Sequence, residues 1–204
     1  MVNQSWDPVW ENVFKVSKWR GYPSENLVRF MARNFYSKNR GEIKVLDVGC
    51  GSGANLWYLS REGFKAYGID GSKTAIELAE KKLSFDNLKA ELHVGDVLDL
   101  NVFPDGYFDV VIDLESLCTN KMEATRKILS EIYRVLNNSG LFYSEAFSEF
   151  HTVLHTDKGY IRKINKKDLC DLYDKFKIKN IDLSEYTIDN GIKKVSEYIV
   201  VAEK

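Results

Sequence analysis

Short runs of aliphatic and β-branched residues alternate along this chain with segments whose apolar positions recur every three or four residues. Residues 43–48 (Ile-Lys-Val-Leu-Asp-Val) read as a strand, 54–62 as a helix, 65–69 as a second strand and 73–83 as a second helix. The alternation continues with strands at 89–94, 107–113 and 140–146, and with a helix over 122–136 in which Ile128, Ile132, Val135 and Leu136 fall at helical spacing. Residues 168–176 give one more helix. Two extended runs follow, 177–186 and 193–202, separated by Asp189-Asn190-Gly191, a sequence suited to the left-handed residues of a hairpin turn.

Strands that alternate with helices through short connections are expected to be parallel, because a parallel pair needs a crossover long enough to hold a helix. The expected fold is α/β: a Rossmann-like sheet of seven strands, mostly parallel, with helices on both faces and an antiparallel C-terminal hairpin. In such a sheet ligands bind beyond the carboxyl ends of the strands, near the point where strand order reverses.

The first strand runs into Gly49-Cys50-Gly51-Ser52-Gly53, with Asp47 just before the glycines. A glycine turn between strand and helix lets backbone approach a nucleotide closely. Two ligands suit it. Gly49, Gly51 and Ala54 satisfy the dinucleotide pattern G-x-G-x-x-G/A, with Asp70 at the expected distance downstream. A dinucleotide, however, rests its pyrophosphate on the helix N-terminus, and a carboxylate pointing into the turn at ~4 Å opposes it by about 4 kcal/mol at an effective dielectric of ~20. S-adenosylmethionine (SAM) carries an ammonium and a sulfonium but no phosphate, so the same carboxylate attracts it.

Residues 45–53 (Val-Leu-Asp-Val-Gly-Cys-Gly-Ser-Gly) resemble the glycine motif of the class I SAM-dependent methyltransferases. Gly68-Ile69-Asp70-Gly71-Ser72, Gly95-Asp96-Val97 and residues 108–113 (Phe-Asp-Val-Val-Ile-Asp) resemble the ends of that family's second, third and fourth strands, in its order and spacing. The resemblance covers residues 43 to about 147 and implies SAM as cofactor, S-adenosylhomocysteine (SAH) as product, and a set of roles. Asp70 accepts from the ribose hydroxyls, with Gly71 and Ser72 beside it. Asp96 faces the adenine amino group, next to the Val97 amide. Asp47 anchors the methionine amino group, directly or through another group, and Gly49, Cys50, Gly51 and Asp113 complete the site. The residues by themselves also allow Asp70 to cap the helix that begins at Ser72 or Lys73, and Asp96 to be an ordinary loop acid.

Composition narrows the setting. At 204 residues, 44% hydrophobic and 13% aromatic, the chain suffices for one domain with a sizeable core. Its expected parts are a helical lid (1–40), a SAM-binding core (41–147), an acceptor loop (148–164) and a final helix and hairpin (165–204). A formal charge of −1 lacks the basic field of nucleic-acid binders, so a polynucleotide partner is disfavoured. Cys50, Cys118 and Cys170 are widely spaced, without a C-x-x-C pair, and neither a signal-type run nor an 18-residue apolar span occurs. A reduced, soluble, cytoplasmic monomer or homodimer with no membrane partner is the expectation.

Ahead of the first strand, Trp6, Trp10, Phe14, Trp19 and Tyr22 form an aromatic-rich stretch, followed by an amphipathic pattern over 24–35. Trp6 and Phe14 are assigned to packing of an N-terminal helix. The turn-like Trp19-Arg20-Gly21-Tyr22-Pro23 is assigned to the lid, with Trp19 meeting the cofactor. Residues 144–160 form the expected acceptor loop, and Glu145, His151 and His155 are candidate bases for a hydroxyl acceptor, the bland alternative for the histidines being exposed loop positions. His151 and His155 stand four apart but lack a third ligand, so no metal is assigned. Glu115 and Ser116 either face the acceptor or cap the helix starting near Asn120. The run Lys158, Arg162, Lys163, Lys166, Lys167 is read as a solvated face.

The expected function is transfer of the SAM methyl group to an oxygen or nitrogen of a small acceptor, such as a sugar or other metabolite, mainly by alignment. A noncatalytic SAM-fold subunit and an NAD(P)-dependent oxidoreductase are the alternatives. Intact Asp47, Asp70 and Asp96 argue against the first, and Asp47 against the second.

Overall fold

A computed structural model describes residues 5–16, 21–153 and 159–204. The strands are β1 (Lys44–Val48), β2 (Lys65–Asp70), β3 (Glu91–Val94), β4 (Phe108–Leu114), β5 (Leu136–Phe147), β6 (Lys177–Ile188) and β7 (Lys193–Glu203). The α-helices are α1 (Val9–Val16), α2 (Glu25–Phe35), α3 (Ala54–Arg61), α4 (Lys73–Phe85), α5 (Met122–Val135) and α6 (Lys166–Leu172). The strands form a single sheet in the order β3-β2-β1-β4-β5-β7-β6. Neighbours from β3 to β5 pair in parallel, whereas β7 runs antiparallel to both β5 and β6. Strand order therefore reverses between β1 and β4, and the crevice expected at such a reversal lies beyond their carboxyl ends.

Alternation along the strands assigns their side chains to two cores. Val45, Val110, Ile112 and Tyr143 pack with Leu27 and Phe30 of α2 and Leu56 and Leu59 of α3. Leu46, Val48, Val111 and Phe142 pack with Ile128, Leu129 and Ile132 of α5 and Leu169 and Leu172 of α6. Burying both faces explains why the central strands read as near-continuous aliphatic runs.

Three boundaries depart from the sequence reading. Trp6 precedes α1, which starts at Val9 because Pro8 suits the first turn and the Asp7 carboxylate accepts from the Val9 amide at 2.9 Å. Strand β5 begins at Leu136, directly after α5, and its pairing with β4 jumps from Phe108↔Leu136 to Val110↔Leu141. Asn137, which donates to Asp109 at 2.7 Å, and Ser139, at φ +68°, lie within this bulge. Helix α6 starts at Lys166 because the Asn165 side chain accepts from the Asp168 amide, and it ends at Leu172. Tyr173 and Phe176 then pack on Phe142 with ring centres 5.6 and 5.5 Å away.

Candidate cofactor and acceptor site

The glycine turn is drawn across the sheet by the Ile69 carbonyl at the end of β2, which accepts from the amides of Gly49 (2.8 Å) and Cys50 (3.1 Å). Gly49 has φ +70°, and a Cβ there would lie 2.1 Å from Ser116 Oγ, just past β4. Gly53 has φ +78°, and its Cβ would lie 2.7 Å from Ala79 Cβ of α4. Left-handed backbone and close approach coincide at both positions, so glycine is required.

Asp70, the last residue of β2, accepts from the Gly51 amide through Oδ2 (2.9 Å) and from the Ser72 amide through Oδ1 (2.8 Å). It does not cap α4. Ser72 does, its hydroxyl accepting from the Ala75 amide at 3.1 Å. Burial pushes the Asp70 carboxyl above its ordinary range, against the pull of the two amides. A carboxylate has about four lone-pair directions, so roughly half remain for a ligand hydroxyl.

Asp47 is buried below the turn and receives the Asn55 amide group at 3.1 Å. Burial, then the charges of Asp70 and Asp47, push the Cys50 thiol up, so Cys50 serves through its backbone. Asp96 accepts from the Ser5 amide (2.6 Å), the Leu98 amide (2.9 Å) and the Ser5 hydroxyl. Asp113 is fully buried and takes the amides of Ser116 (2.9 Å) and Leu117 (3.0 Å) on one oxygen and the Ser144 hydroxyl (2.8 Å) on the other. Burial raises its carboxyl to about 7 despite these three donors. In this position it shapes the loop after β4.

Between these strand ends opens a pocket whose empty space, the open solvent at its mouth included, is about 790 Å³. Gly49, Gly51, Asp70, Gly71 and Val97 line one part of it, and Leu114, Glu115, Ser116, Thr119, Asn120, Phe147 and Ile161 another. Trp6, Trp10 and Phe14 complete the wall. The assignment of Trp6 and Phe14 to packing alone is thereby corrected. Trp6 lies so close on Gly71 that a Cβ at that glycine would meet ring atoms at 2.4–2.7 Å.

Glu11 ties α1 to the N-terminus of α4, where negative charge is favoured. It accepts from the hydroxyls of Ser72 and Thr74, both at 2.5 Å, and from the Thr74 amide at 3.3 Å. These donors, Ser72 foremost, hold its carboxyl down at about 2. Sequence reasoning missed Glu11 and Ser5, because their partners lie 61 and 91 residues away. It also missed Thr119 and Asn120, whose one signal was their place just after the fourth strand.

The candidate bases separate. Trp19 and His155 lie outside the described residues. His151 is buried, which removes the exposed-loop alternative for it. Its Nδ1 accepts from the Ser196 amide at 3.3 Å, which assigns the ring proton to Nε2 in the neutral form, and its ring lies 4.1 Å from that of Phe147. Glu145 is buried on the α2 side of the sheet, where its Oε1 accepts from the hydroxyls of Ser24 (2.6 Å) and Tyr143 (2.5 Å). Neither His151 nor Glu145 is among the residues lining the pocket. Arg162 is not part of a solvated face either: its guanidinium donates to the Asn120 carbonyl, to Thr125 Oγ1 (3.0 Å) and to the Leu117 carbonyl (3.4 Å). No helix among the described residues is long and apolar enough to cross a membrane.

A methyltransferase-domain family model matches residues 45–140, the stretch from β1 into β5. An uncharacterized methyltransferase of Schizosaccharomyces pombe is 37% identical over 108 residues, which are 52% of this chain and 72% of that protein. The chain belongs to the class I SAM-dependent methyltransferase family. It spans about half the length of the first curated relatives it matches, between 40% and 58%. Solved structures share its fold. A chain from work on the conversion of a disulfide bond into a thioacetal group during echinomycin biosynthesis superposes with a TM-score of 0.80 at 22% identity, over 97% of this chain and 91% of that one. The magnesium protoporphyrin IX methyltransferase of Synechocystis PCC 6803, solved with bound SAM, does so with a TM-score of 0.69 at 15% identity, over 96% and 80%.

Proposed function

We propose that this chain binds SAM at the carboxyl ends of β1 to β3 and transfers its methyl group to an oxygen or nitrogen of a small acceptor held in the part of the pocket after β4. The observation that carries this reading is Asp70: a carboxylate fixed by two backbone amides, lining the pocket, with lone pairs left for the cis-diol of a ribose. The residues fit a cationic, phosphate-free nucleoside better than a pyrophosphate. Asp47 and Asp70 bracket the glycine turn with negative charge, and the formal charges among the described lining residues are those of Asp70 and Glu115.

When bound, SAM supplies an activated methyl group whose departure leaves a neutral thioether. Asp70 and the glycine turn hold the nucleoside, and Val97 gives an apolar contact for its base. Trp6, Trp10 and Phe14 exclude water and present aromatic faces, which attract a cation held against them. Asp113 fixes the loop that carries Ser116 toward Gly49, which sets the distance between the two parts of the pocket. Alignment of this kind accounts for most of the acceleration that methyl transfer needs. A dedicated base is not required for an amine acceptor.

The test is incubation with SAM and pooled amine- and hydroxyl-bearing metabolites, followed by assay of SAH. SAH that forms only when an acceptor is added is the expected result. Acceptor turnover that requires NAD(P) instead of SAM would overturn the reading.

A further inference from the structure

The segment from Ser5 to α1 crosses the carboxyl ends of β2 and β3 and is tied down on both sides of Trp6. On one side the Ser5 amide (2.6 Å) and the Ser5 hydroxyl donate to Asp96, which follows β3. On the other, Glu11 accepts from Ser72 and Thr74 at the start of α4. Trp6 is held between these two anchors, on the segment that leaves β2.

Gly71 shows what that position holds. It is not among the glycines with positive φ, so its backbone conformation does not call for glycine. The indole does: Cγ, Cδ2 and Cδ1 of Trp6 lie 2.4, 2.5 and 2.7 Å from where a Cβ would stand. The ring itself is therefore seated on Gly71. It is not sealed into a core, as the fully buried Phe108 and Phe142 are, but stays partly exposed and lines the pocket with Asp70, Gly71 and Val97.

A nucleoside held through its ribose at Asp70 must set down a flat purine close by. Trp6 and Val97 are the apolar lining residues nearest in the fold: one rests on the residue after Asp70, and the other follows β3, the strand paired with β2. The π-face of an aromatic side chain stacks on any base. Asp96, the acid that the family resemblance turns toward adenine, is instead engaged by Ser5 and Leu98 and is not among the residues lining the pocket. Its contribution is to hold the segment that carries the ring.

We propose that the Trp6 indole is the platform on which the adenine of the cofactor stacks, and that Ser5 with Asp96 and Glu11 with Ser72 and Thr74 are the positioning contacts that keep it there. The inference rests on reading the β1 to β3 side of the pocket as the SAM site. It adds to that site a contact from the N-terminal segment.

The test combines tryptophan fluorescence with calorimetry, using SAH, adenosine and NAD as ligands and wild type, Trp6→Phe and Trp6→Ala as proteins. A purine stacked on an indole quenches its emission. Saturating SAH should quench the wild type, and the share of quenching that belongs to Trp6 should be missing in Trp6→Phe. Trp6→Phe keeps an aromatic face and should bind SAH within about threefold of wild type, whereas Trp6→Ala should bind it at least about tenfold more weakly, as loss of base stacking implies. Adenosine, which lacks the methionine part, should follow the same order. Should Trp6→Ala unfold early, the quenching difference between wild type and Trp6→Phe still decides. Equal quenching in those two proteins, SAH affinity that Trp6→Ala leaves unchanged, or tighter binding by Trp6→Ala, as a ring blocking the site would give, overturns the proposal. If the wild type binds adenosine or NAD but not SAH, the cofactor reading falls, and quenching by that ligand still decides the role of Trp6. If none of the three binds, both fall.

Discussion

Two left-handed turns face each other across the pocket, and they solve the same steric problem differently. After β1 the chain uses left-handed glycine at 49, 51 and 53, and at 49 and 53 the backbone meets Ser116 and Ala79 too closely for any side chain. After β4 it uses Glu115 at a similar φ and fixes the strained residue with neighbouring hydrogen bonds. The first turn is written for the close approach of backbone to neighbouring elements of the fold. The second retains a side chain at a conformational cost, which is the pattern of a residue kept for what its side chain contacts.

The largest effect that distinguishes them is expected from the reciprocal pair Gly53→Ala and Glu115→Gly. Gly53→Ala adds a left-handed penalty of about 1 kcal/mol to an overpacking cost of about 1–3 kcal/mol against α4, and should lower the denaturant midpoint accordingly. Glu115→Gly should leave the midpoint unchanged or raised by up to about 1 kcal/mol. A loss at both positions of similar size would erase the contrast.

Asp113 sharpens the comparison, because it supports the strained turn while being fully buried. Its folded pKa of about 7 lies above the unfolded carboxyl value of about 3.9. Between these values the native state holds the extra proton, so its contribution to stability is complete at low pH and is lost as pH rises through about 7. The slope is at most about 1.4 kcal/mol per pH unit. Asp113→Asn keeps acceptors for the Ser116 and Leu117 amides and a donor toward Ser144. It should flatten this part of a stability–pH curve measured by denaturant unfolding, and an unchanged slope would contradict the assignment.

A smaller effect concerns the N-terminal wall. Glu11 sits at about 2, below its unfolded value, so its hold on α4 is present above about pH 4.5 and is lost as pH falls toward 2. Glu11→Gln should raise amide exchange in α1 at neutral pH with little change in global stability. Equal exchange in the two proteins would show that α1 is held by its aromatic contacts alone.

What the sequence discloses divides along the same line. Strands β1 to β4 and the acids proposed to hold the cofactor sit in short, chain-local motifs, where spacing alone places Asp70 at the end of a strand and before a helix. The C-terminal hairpin is likewise local, through Asp189-Asn190-Gly191. The rest of the pocket wall is assembled from α1, the loop after β4 and residues around Phe147 and Ile161, which sequence periodicity does not bring together. Trp6 reads as helix packing because nothing before folding places it on Gly71. Arg162 reads as a surface cation because its carbonyl partners at Leu117 and Asn120 are more than forty residues away. His151 and Glu145 read as candidate bases from residue type, whereas their neighbours in the fold direct Nδ1 toward Ser196 and the Glu145 carboxylate toward Ser24 and Tyr143.

The most direct test of the central claim is parallel calorimetric titration of the wild type and Asp70→Ala with SAH and with NAD. The account predicts saturable SAH binding by the wild type, weakened at least about tenfold in Asp70→Ala as expected for loss of a carboxylate that accepts ligand hydroxyls, and no NAD binding. NAD binding without SAH binding, or SAH affinity that ignores the substitution, would contradict it.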